Sequence, residues 1–210
     1  MKTFFTLAGL LFSSLLVCSQ TGPGGVGTTN GASSLILWMD ANTVAGTNGS
    51  TITTWNDASG YNHNFTIGNG ATFTKPAQNG NAAFTFNSGT NDYFERAYTA
   101  ALSPANFTIF SASNVTTSGS YKALLSNRDD FGGGSTAGYI LYAGPTTDDW
   151  SFWTGSIGNS WDQIFSGIGT SGNWASQMMD FGNVSATKNL SINQGTVFTN
   201  SGIPYTSNNA

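Results

Sequence analysis

Turn-forming residue pairs interrupt this sequence at short intervals, which limits every regular segment between them to a few residues. Examples are the Asn-Gly pairs at 69–70 and 79–80 and the Ser-Gly pairs at 118–119 and 171–172. Asn, Ser and Gly favour turns because Gly adopts positive φ angles and the polar side chains bond to nearby backbone. No stretch between the turns keeps a helical period. The pattern therefore predicts many short β-strands, as in a sandwich, a jelly roll or a barrel.

The predicted strands are short apolar or alternating runs. Phe84 and Phe86 are two residues apart, so they would lie on one face of a strand. An apolar run at 35–39, bounded by polar residues, predicts a strand that is buried on both faces. The other predicted strands are 51–55, 82–86, 93–98, 107–113, 122–126, 139–143, 150–154, 177–181 and 188–192.

The composition excludes several other classes of protein. Gly, Ser, Thr and Asn make up 102 of the 210 residues, and charged residues make up only 8%. A helical bundle needs more Glu, Lys and Arg on its exposed faces. With 6 basic and 10 acidic residues and no basic cluster, the chain is not a nucleic-acid-binding protein of the basic type. Because 39% of residues are hydrophobic and 13% are aromatic, we expect a folded, secreted all-β domain rather than disorder.

Residues 1–19 have the features of a signal peptide. Lys2 precedes an apolar stretch that ends near Val17 and is too short to span a bilayer by itself. Cleavage before Gln20 would leave Val17 and Ser19 at the −3 and −1 positions. Lipidation of Cys18 is the weaker alternative, since a small residue would be expected directly before the modified cysteine. We therefore expect a secreted or cell-surface protein.

Removal of the signal peptide would leave a chain without cysteine, because Cys18 is the only one. The mature protein would then contain no disulfide and no cysteine-zinc site. Residues 20–34 lack a hydrophobic period and predict a flexible leader, followed by one domain over 35–210. No second apolar run of about 18 residues follows, so we expect no membrane span.

Several motifs occur in a recognisable order from residue 35 onward. The chain resembles the laminin-G-like, concanavalin A-like jelly rolls of secreted bacterial surface proteins, closely over 35–110 and loosely beyond. It departs from their pattern by a longer turn at 87–89. The motifs that carry the resemblance are LWMDA at 37–41, TWNDASG at 54–60, FNSGTNDYF at 86–94 and FTIF at 107–110.

The resemblance implies a jelly-roll β-sandwich of two antiparallel sheets with a carbohydrate-binding or adhesive role. Residues 188–193 and 202–209 resemble the family's late hairpin, after which two further strands would be expected. We therefore interpret the chain as a C-terminally truncated domain from a longer protein with further domains. An edge left unpaired in this way would promote association between molecules.

Catalytic side chains are scarce. Hydrolysis of a glycosidic bond ordinarily uses two carboxyl groups, and the glucanases of this fold carry two Glu on one strand. This chain has a single Glu, Glu95, which we interpret as an exposed strand residue. A site built from Asp alone, at 129–130 and 148–149, is the remaining enzymatic alternative. The single histidine, His63, lies in a polar segment without a Gly-x-Ser-x-Gly motif. We predict a protein that is not an enzyme and needs no cofactor.

Calcium binding is left open, because carboxylate and carbonyl oxygens in Gly- and Asn-rich loops are its usual ligands. Asp57 is one such residue, beside the aspartate pairs at 129–130 and 148–149. We favour a second interpretation of Asp57, as a turn cap that accepts backbone N–H bonds before Ser59 and Gly60. Zinc is excluded by the single histidine and the absence of a mature cysteine.

The remaining candidate is an aromatic surface for a polysaccharide or glycan. Flat indole and phenol rings stack on the C–H faces of sugars, and each of these residues could also be core. In the strand 150–154, Trp150 and Trp153 must point to opposite faces, so at least one of them leaves the core side. The alternative role is a structural spacer without a ligand. The candidate ligand-binding residues are Tyr139, Tyr142, Trp150, Trp153, Trp161 and Trp174.

Overall fold

A computed structural model describes residues 21–116, 121–128, 136–144, 148–170 and 172–206. All thirteen strands in these segments pair antiparallel, and the helical residues form three short 3₁₀ turns. The predicted all-β class is therefore confirmed. In the part of the chain described, no helix is long and apolar enough to cross a membrane. The predicted signal peptide at 1–19 and the aspartates at 129–130 lie outside the described residues.

The chain divides between Arg96 and Ala97 into two compact units, an N-terminal unit and a C-terminal unit. Each unit has its own sheets and its own apolar cluster. The interpretation of 35–210 as one jelly-roll domain, and of its end as a truncation, stays a prediction.

The N-terminal unit contains five short strands in two sheets. A three-stranded sheet has the order β1-β2-β5, and β3 and β4 form a hairpin. Asn79 and Gly80 connect β3 to β4 with positive φ angles, so the predicted Asn-Gly turn is confirmed. The strands are β1 (Thr54–Trp55), β2 (Phe65–Asn69), β3 (Thr72–Gln78), β4 (Asn81–Thr85) and β5 (Tyr93–Glu95).

Aromatic rings hold the two sheets of the N-terminal unit together. The ring of Phe84 lies 4.5 Å from Trp55, 4.9 Å from Phe94 and 5.6 Å from Phe73, measured between centroids. Phe73 is fully buried, while Phe86 at the margin is 47% exposed. The cluster is therefore a small core with an open side.

The apolar run at 35–39 does not form the predicted doubly buried strand. It belongs to no strand and its side chains are half-buried. The backbone of Trp38 bonds instead to the side chain of Asp57 and to the N–H of Ala58. The apolar pattern gave a wrong prediction here because the backbone N–H of Trp38 bonds to the carboxylate of Asp57 rather than to a neighbouring strand. The predicted leader is also bonded into this unit, through Gly31 to Ser59 and through the Tyr61 hydroxyl to Ser33.

The C-terminal unit contains eight strands in two four-stranded sheets. One sheet has the order β10-β9-β8-β7, and the other has the order β13-β12-β11-β6. A single apolar cluster takes side chains from both, including Leu141 and Phe152 from the first and Met179 and Leu190 from the second. Two sheets that bury one common layer form a β-sandwich. The strands are β6 (Asn106–Asn114), β7 (Lys122–Ser126), β8 (Gly138–Ala143), β9 (Asp149–Gly155), β10 (Asp162–Gly169), β11 (Trp174–Gly182), β12 (Thr187–Ile192) and β13 (Val197–Ser201).

Candidate functional site

Strand β9 separates the two tryptophans whose opposite orientation the sequence predicted. Trp150 and Phe152 are fully buried in the layer between the sheets. Trp153 belongs to a separate cluster with Ile140 and Tyr142 on the other face of the sheet. The prediction that one tryptophan of this pair leaves the core side is confirmed.

Two of the predicted ligand residues lie in the core, where a ligand cannot reach them. Trp150 is fully buried, and Tyr139 packs in the same layer with its hydroxyl donating to the carbonyl of Leu102 at 3.0 Å. Burial, and to a smaller extent the nearby Tyr205, raise the pKa of Tyr139, so its hydroxyl stays protonated. Both residues stabilise the sandwich because they fill its centre, and we remove them from the candidate surface.

The outer face of the sheet β10-β9-β8-β7 carries five neighbouring aromatic rings, which we call the aromatic patch. Trp153 is central to it, with its ring centroid 5.0 Å from Tyr142 and 5.7 Å from Tyr121. Trp161 and Phe165 lie on the other side of Trp153, each 6.2 Å away. Edge-to-face and tilted contacts of this kind favour aromatic clustering beyond the gain from burial alone.

The patch has a covered floor and an exposed rim. Trp153 is 8% exposed, and its indole N–H donates to the Ser151 hydroxyl at 3.1 Å. Tyr121 is 55% exposed and Phe165 is 40% exposed. Large exposed rings that border a covered one are typical of a surface that contacts a partner or ligand.

Polar groups lie beside these rings. The guanidinium carbon of Arg128 lies 5.9 Å from the centre of the Trp161 ring, within the range of a cation–π contact. Gln163 is the cross-strand neighbour of Trp153, so its side chain is on the same face of the sheet. The patch therefore combines stacking surfaces with hydrogen-bonding groups.

The sequence identified part of this arrangement. Tyr142, Trp153 and Trp161 lie together as proposed, whereas the half-buried Trp174 begins β11 in the other sheet. Tyr121 and Phe165 were missed. Phe165 lies on β10, whose weak alternation gave no strand signal, and the register that sets it against Ser151 is not readable from sequence.

Asp57 acts as the predicted turn cap. One carboxylate oxygen accepts from the backbone N–H of Trp38 and of Ser59, each at 2.9 Å. The other accepts from the Ser59 hydroxyl at 2.7 Å and from the N–H of His63 at 3.0 Å. Burial alone raises the pKa of Asp57, but these hydrogen bonds outweigh it and the net pKa is lowered. All four acceptor positions are occupied, so this carboxylate is not available to a metal ion.

The structure also describes the acidic candidates Glu95 and Asp149. Glu95 is exposed on β5, as expected. Asp149 is buried and accepts from the backbone N–H of Gly167 at 2.9 Å. Within the described segments, no three His, Cys, Asp or Glu side chains are placed to hold a metal ion.

A shallow groove of about 410 Å³ lies in the N-terminal unit. It is bordered by Thr43, Val44, Ala45, Thr51, Ile52, Thr53, Thr54 and Asn56. None of these eight side chains titrates near neutral pH, so the lining offers no general acid or base that could activate its threonine hydroxyls.

The chain matches no protein-family model, no curated protein and no solved structure. Its resemblance to laminin-G-like domains therefore stays an interpretation of motifs.

Proposed function

We propose that this chain is an exported, noncatalytic carbohydrate-binding or adhesion module, and that the aromatic patch contacts the glycan. The observation that supports this proposal is the exposed rim of Tyr121 and Phe165 around the floor formed by Trp153. A sugar ring offers C–H groups to a flat aromatic face and hydroxyl groups to neighbouring polar side chains. Arg128 and Gln163 supply such polar groups at the patch.

The proposal includes the setting of the module. The apolar N-terminal stretch and the resemblance to laminin-G-like surface domains support export and a position within a longer, multidomain protein. The lack of paired Glu residues and the full engagement of Asp57 support a noncatalytic role.

A structural spacer without a specific ligand is the second candidate. It is favoured by the low exposure of Trp153 and Tyr142, 8% each, which leaves little of their rings free for stacking. The two candidates differ in whether the exposed rim residues Tyr121 and Phe165 bind a ligand.

Affinity electrophoresis in gels that contain different polysaccharides separates them. We expect retention in at least one gel, and we expect Tyr121→Ala and Phe165→Ala to weaken it roughly tenfold or more, as for aromatic hot spots. Phe110→Ala is the matched control, because Phe110 is an aromatic residue on β6 of the other sheet and is 73% exposed. Its retention should equal that of the wild type.

Other outcomes assign the chain to a different class. Retention that is unchanged in both rim variants would reject the patch as the binding surface. Migration unaffected by every polysaccharide would favour the spacer. Release of reducing sugar by the wild-type protein would instead indicate a glycan-cleaving enzyme.

A further inference from the structure

A lysine is fully buried on the inner face of the sandwich. Lys188 on β12 is directly opposite Asn200 on β13, and Leu190 is opposite Phe198 two residues further along. Leu190 and Phe198 pack in the core between the sheets. Because side chains alternate along a strand, Lys188 and Asn200 point to the same inner face. Residues directly opposite in an antiparallel pair have Cβ atoms about 4.5–5.5 Å apart.

One carboxylate of the other sheet bridges these two side chains. Asp162, the first residue of β10, accepts from Lys188 Nζ through Oδ2 at 2.7 Å and from Asn200 Nδ2 through Oδ1 at 2.7 Å. Lys188 Nζ also donates to Thr154 Oγ1 at 2.7 Å and to the Asp162 carbonyl at 2.6 Å.

The amide of Asn200 is held in one orientation. Its Nδ2 faces two acceptors, Asp162 Oδ1 and the Gln163 carbonyl, while its Oδ1 accepts from the backbone N–H of Ser201 at 2.9 Å. The nitrogen of this amide therefore points to the carboxylate, and the oxygen points to a donor. That donor would stabilise negative charge developing on Oδ1.

The surroundings of Lys188 make its amine easier to deprotonate than that of an exposed lysine. The residue opposite it on β11 is Phe181, which belongs to the core layer. Burial lowers the pKa of Lys188, although the hydrogen bond and the charge of Asp162 oppose this. Transfer of a proton from Nζ to Oδ2 would convert a buried ion pair into a neutral pair and remove the cost of burying two charges. A neutral, desolvated lysine is a nucleophile.

We propose that Lys188 and Asn200 form an intramolecular isopeptide bond, with Asp162 as the proton carrier. The Nζ lone pair attacks Cγ of Asn200, so an N–C bond forms while negative charge collects on Oδ1. Asp162 takes a proton from Nζ and delivers one to Nδ2. The bond between Cγ and Nδ2 then breaks, and ammonia leaves. The product is a secondary amide between β12 and β13, and no other reactant is consumed.

Proximity lowers the activation barrier that makes an amide unreactive toward amines in solution. Attack within the folded sandwich is unimolecular, and aligned intramolecular reactions gain effective concentrations of about 10⁵–10⁸ M. All of the groups that the step requires are present in this one cluster: a nucleophile, a proton carrier and a donor to the oxyanion.

Mass spectrometry of the full-length, folded protein tests this proposal. We expect trypsin to leave the bond after Lys188 uncut, because its side chain is acylated, and to give a 129–210 peptide lighter than its sequence by one ammonia molecule. Normal cleavage after Lys188 would overturn the proposal. Loss of a water molecule instead would place the bond on Asp162 and would also overturn the assigned pair.

Variants separate this reaction from other ammonia losses within the same peptide, such as cyclisation at Asn159-Ser160. Lys188→Met and Asp162→Asn should each abolish the loss of ammonia, so that residues 129–210 have the full mass of their sequence. Asp180→Asn is the matched control, since Asp180 is a carboxylate on β11 that bonds to Thr108 and Asn189, and it should keep the deficit. A deficit that persists in Asp162→Asn would reject Asp162 as the proton carrier. The wild-type peptide map decides the main question even if a variant does not fold.

Discussion

The two units of this chain are stabilised in different ways although their composition is similar. In the C-terminal unit, strands of up to nine residues alternate over their length and bury one apolar layer between two sheets. In the N-terminal unit, β1 has two residues and β5 has three, and the fully buried aromatic side chain is Phe73. Short strands leave more backbone groups to be satisfied by side chains. Hydrogen bonds from polar turn residues therefore help to stabilise the N-terminal unit, whereas a buried apolar layer stabilises the C-terminal unit.

Asp57 shows how this works in the N-terminal unit. Its single carboxylate accepts four hydrogen bonds and joins the segments around Trp38, Ser59 and His63. Such a network is sensitive to the loss of one member, because every donor left behind in a buried position keeps its desolvation cost. In the apolar layer of the C-terminal unit, the loss of stability on substitution is set instead by the volume of side chain removed.

The largest effect on the C-terminal unit is expected for Phe152→Ala. Phe152 is fully buried in the layer between the sheets, and its ring lies 6.2 Å from that of Phe107. Deletion of the ring should lower the free energy of unfolding by about 3–5 kcal/mol, the usual cost of such a cavity. Urea denaturation followed by tryptophan fluorescence measures this. A loss below about 1 kcal/mol would mean that the layer is not closely packed.

The corresponding test of the N-terminal unit is Asp57→Asn. An amide retains one acceptor oxygen but turns its NH₂ group toward two donors, the Ser59 hydroxyl and the His63 N–H. We expect a loss of about 2–3 kcal/mol from the donors left unsatisfied. Denaturant unfolding of the variant checks this value.

Asp40→Asn is the control for that variant. Asp40 caps the 3₁₀ turn Ala41–Thr43 by accepting from the N–H of Asn42, and Asn serves as well in that position. Its stability should match the wild type. Equal effects of the two substitutions would contradict the view that Asp57 organises the unit.

The contrast between the units also explains what the sequence could predict. In the C-terminal unit, the predicted strands at 122–126 and 139–143 lie within one residue of β7 and β8. Strands that pack in a common layer alternate between buried and exposed residues, and this alternation can be recognised in the sequence. Strand β10, with Gly at 167 and 169, was missed because its alternation is weak and its register shifts.

The N-terminal unit was predicted less well. The apolar run at 35–39 has the pattern of a buried strand, yet the partner of its backbone is a side chain 19 positions away from Trp38. The turn cap at Asp57 was predicted, because Asp, Ser and Gly at this spacing bond locally. A contact between two single side chains that are distant in sequence, such as Asp162 and Lys188, leaves no repeating pattern and cannot be predicted from the sequence.

The smallest expected effect concerns His63 and the response of the N-terminal unit to acid. Burial and the neighbouring Arg96 lower the pKa of His63, while Asp57 opposes them, and the net pKa lies below 6.5. Arg96 donates to Nδ1 at 2.7 Å, and the ring stacks on Tyr61 at 5.9 Å between centroids. The folded protein therefore holds a neutral imidazole that accepts a hydrogen bond at Nδ1.

The sign of the pH effect follows from these contacts. Below pH 6.5 the unfolded chain binds a proton at this residue before the folded protein does, so stability should fall as the pH is lowered from 6.5 toward the folded pKa. Proton NMR resolves this group, since His63 is the only histidine. His63→Gln should remove that part of the pH dependence and leave the loss due to Asp57, which begins only near pH 3.8. An imidazole that titrates above 6.5 in the folded protein would contradict the described contact with Arg96.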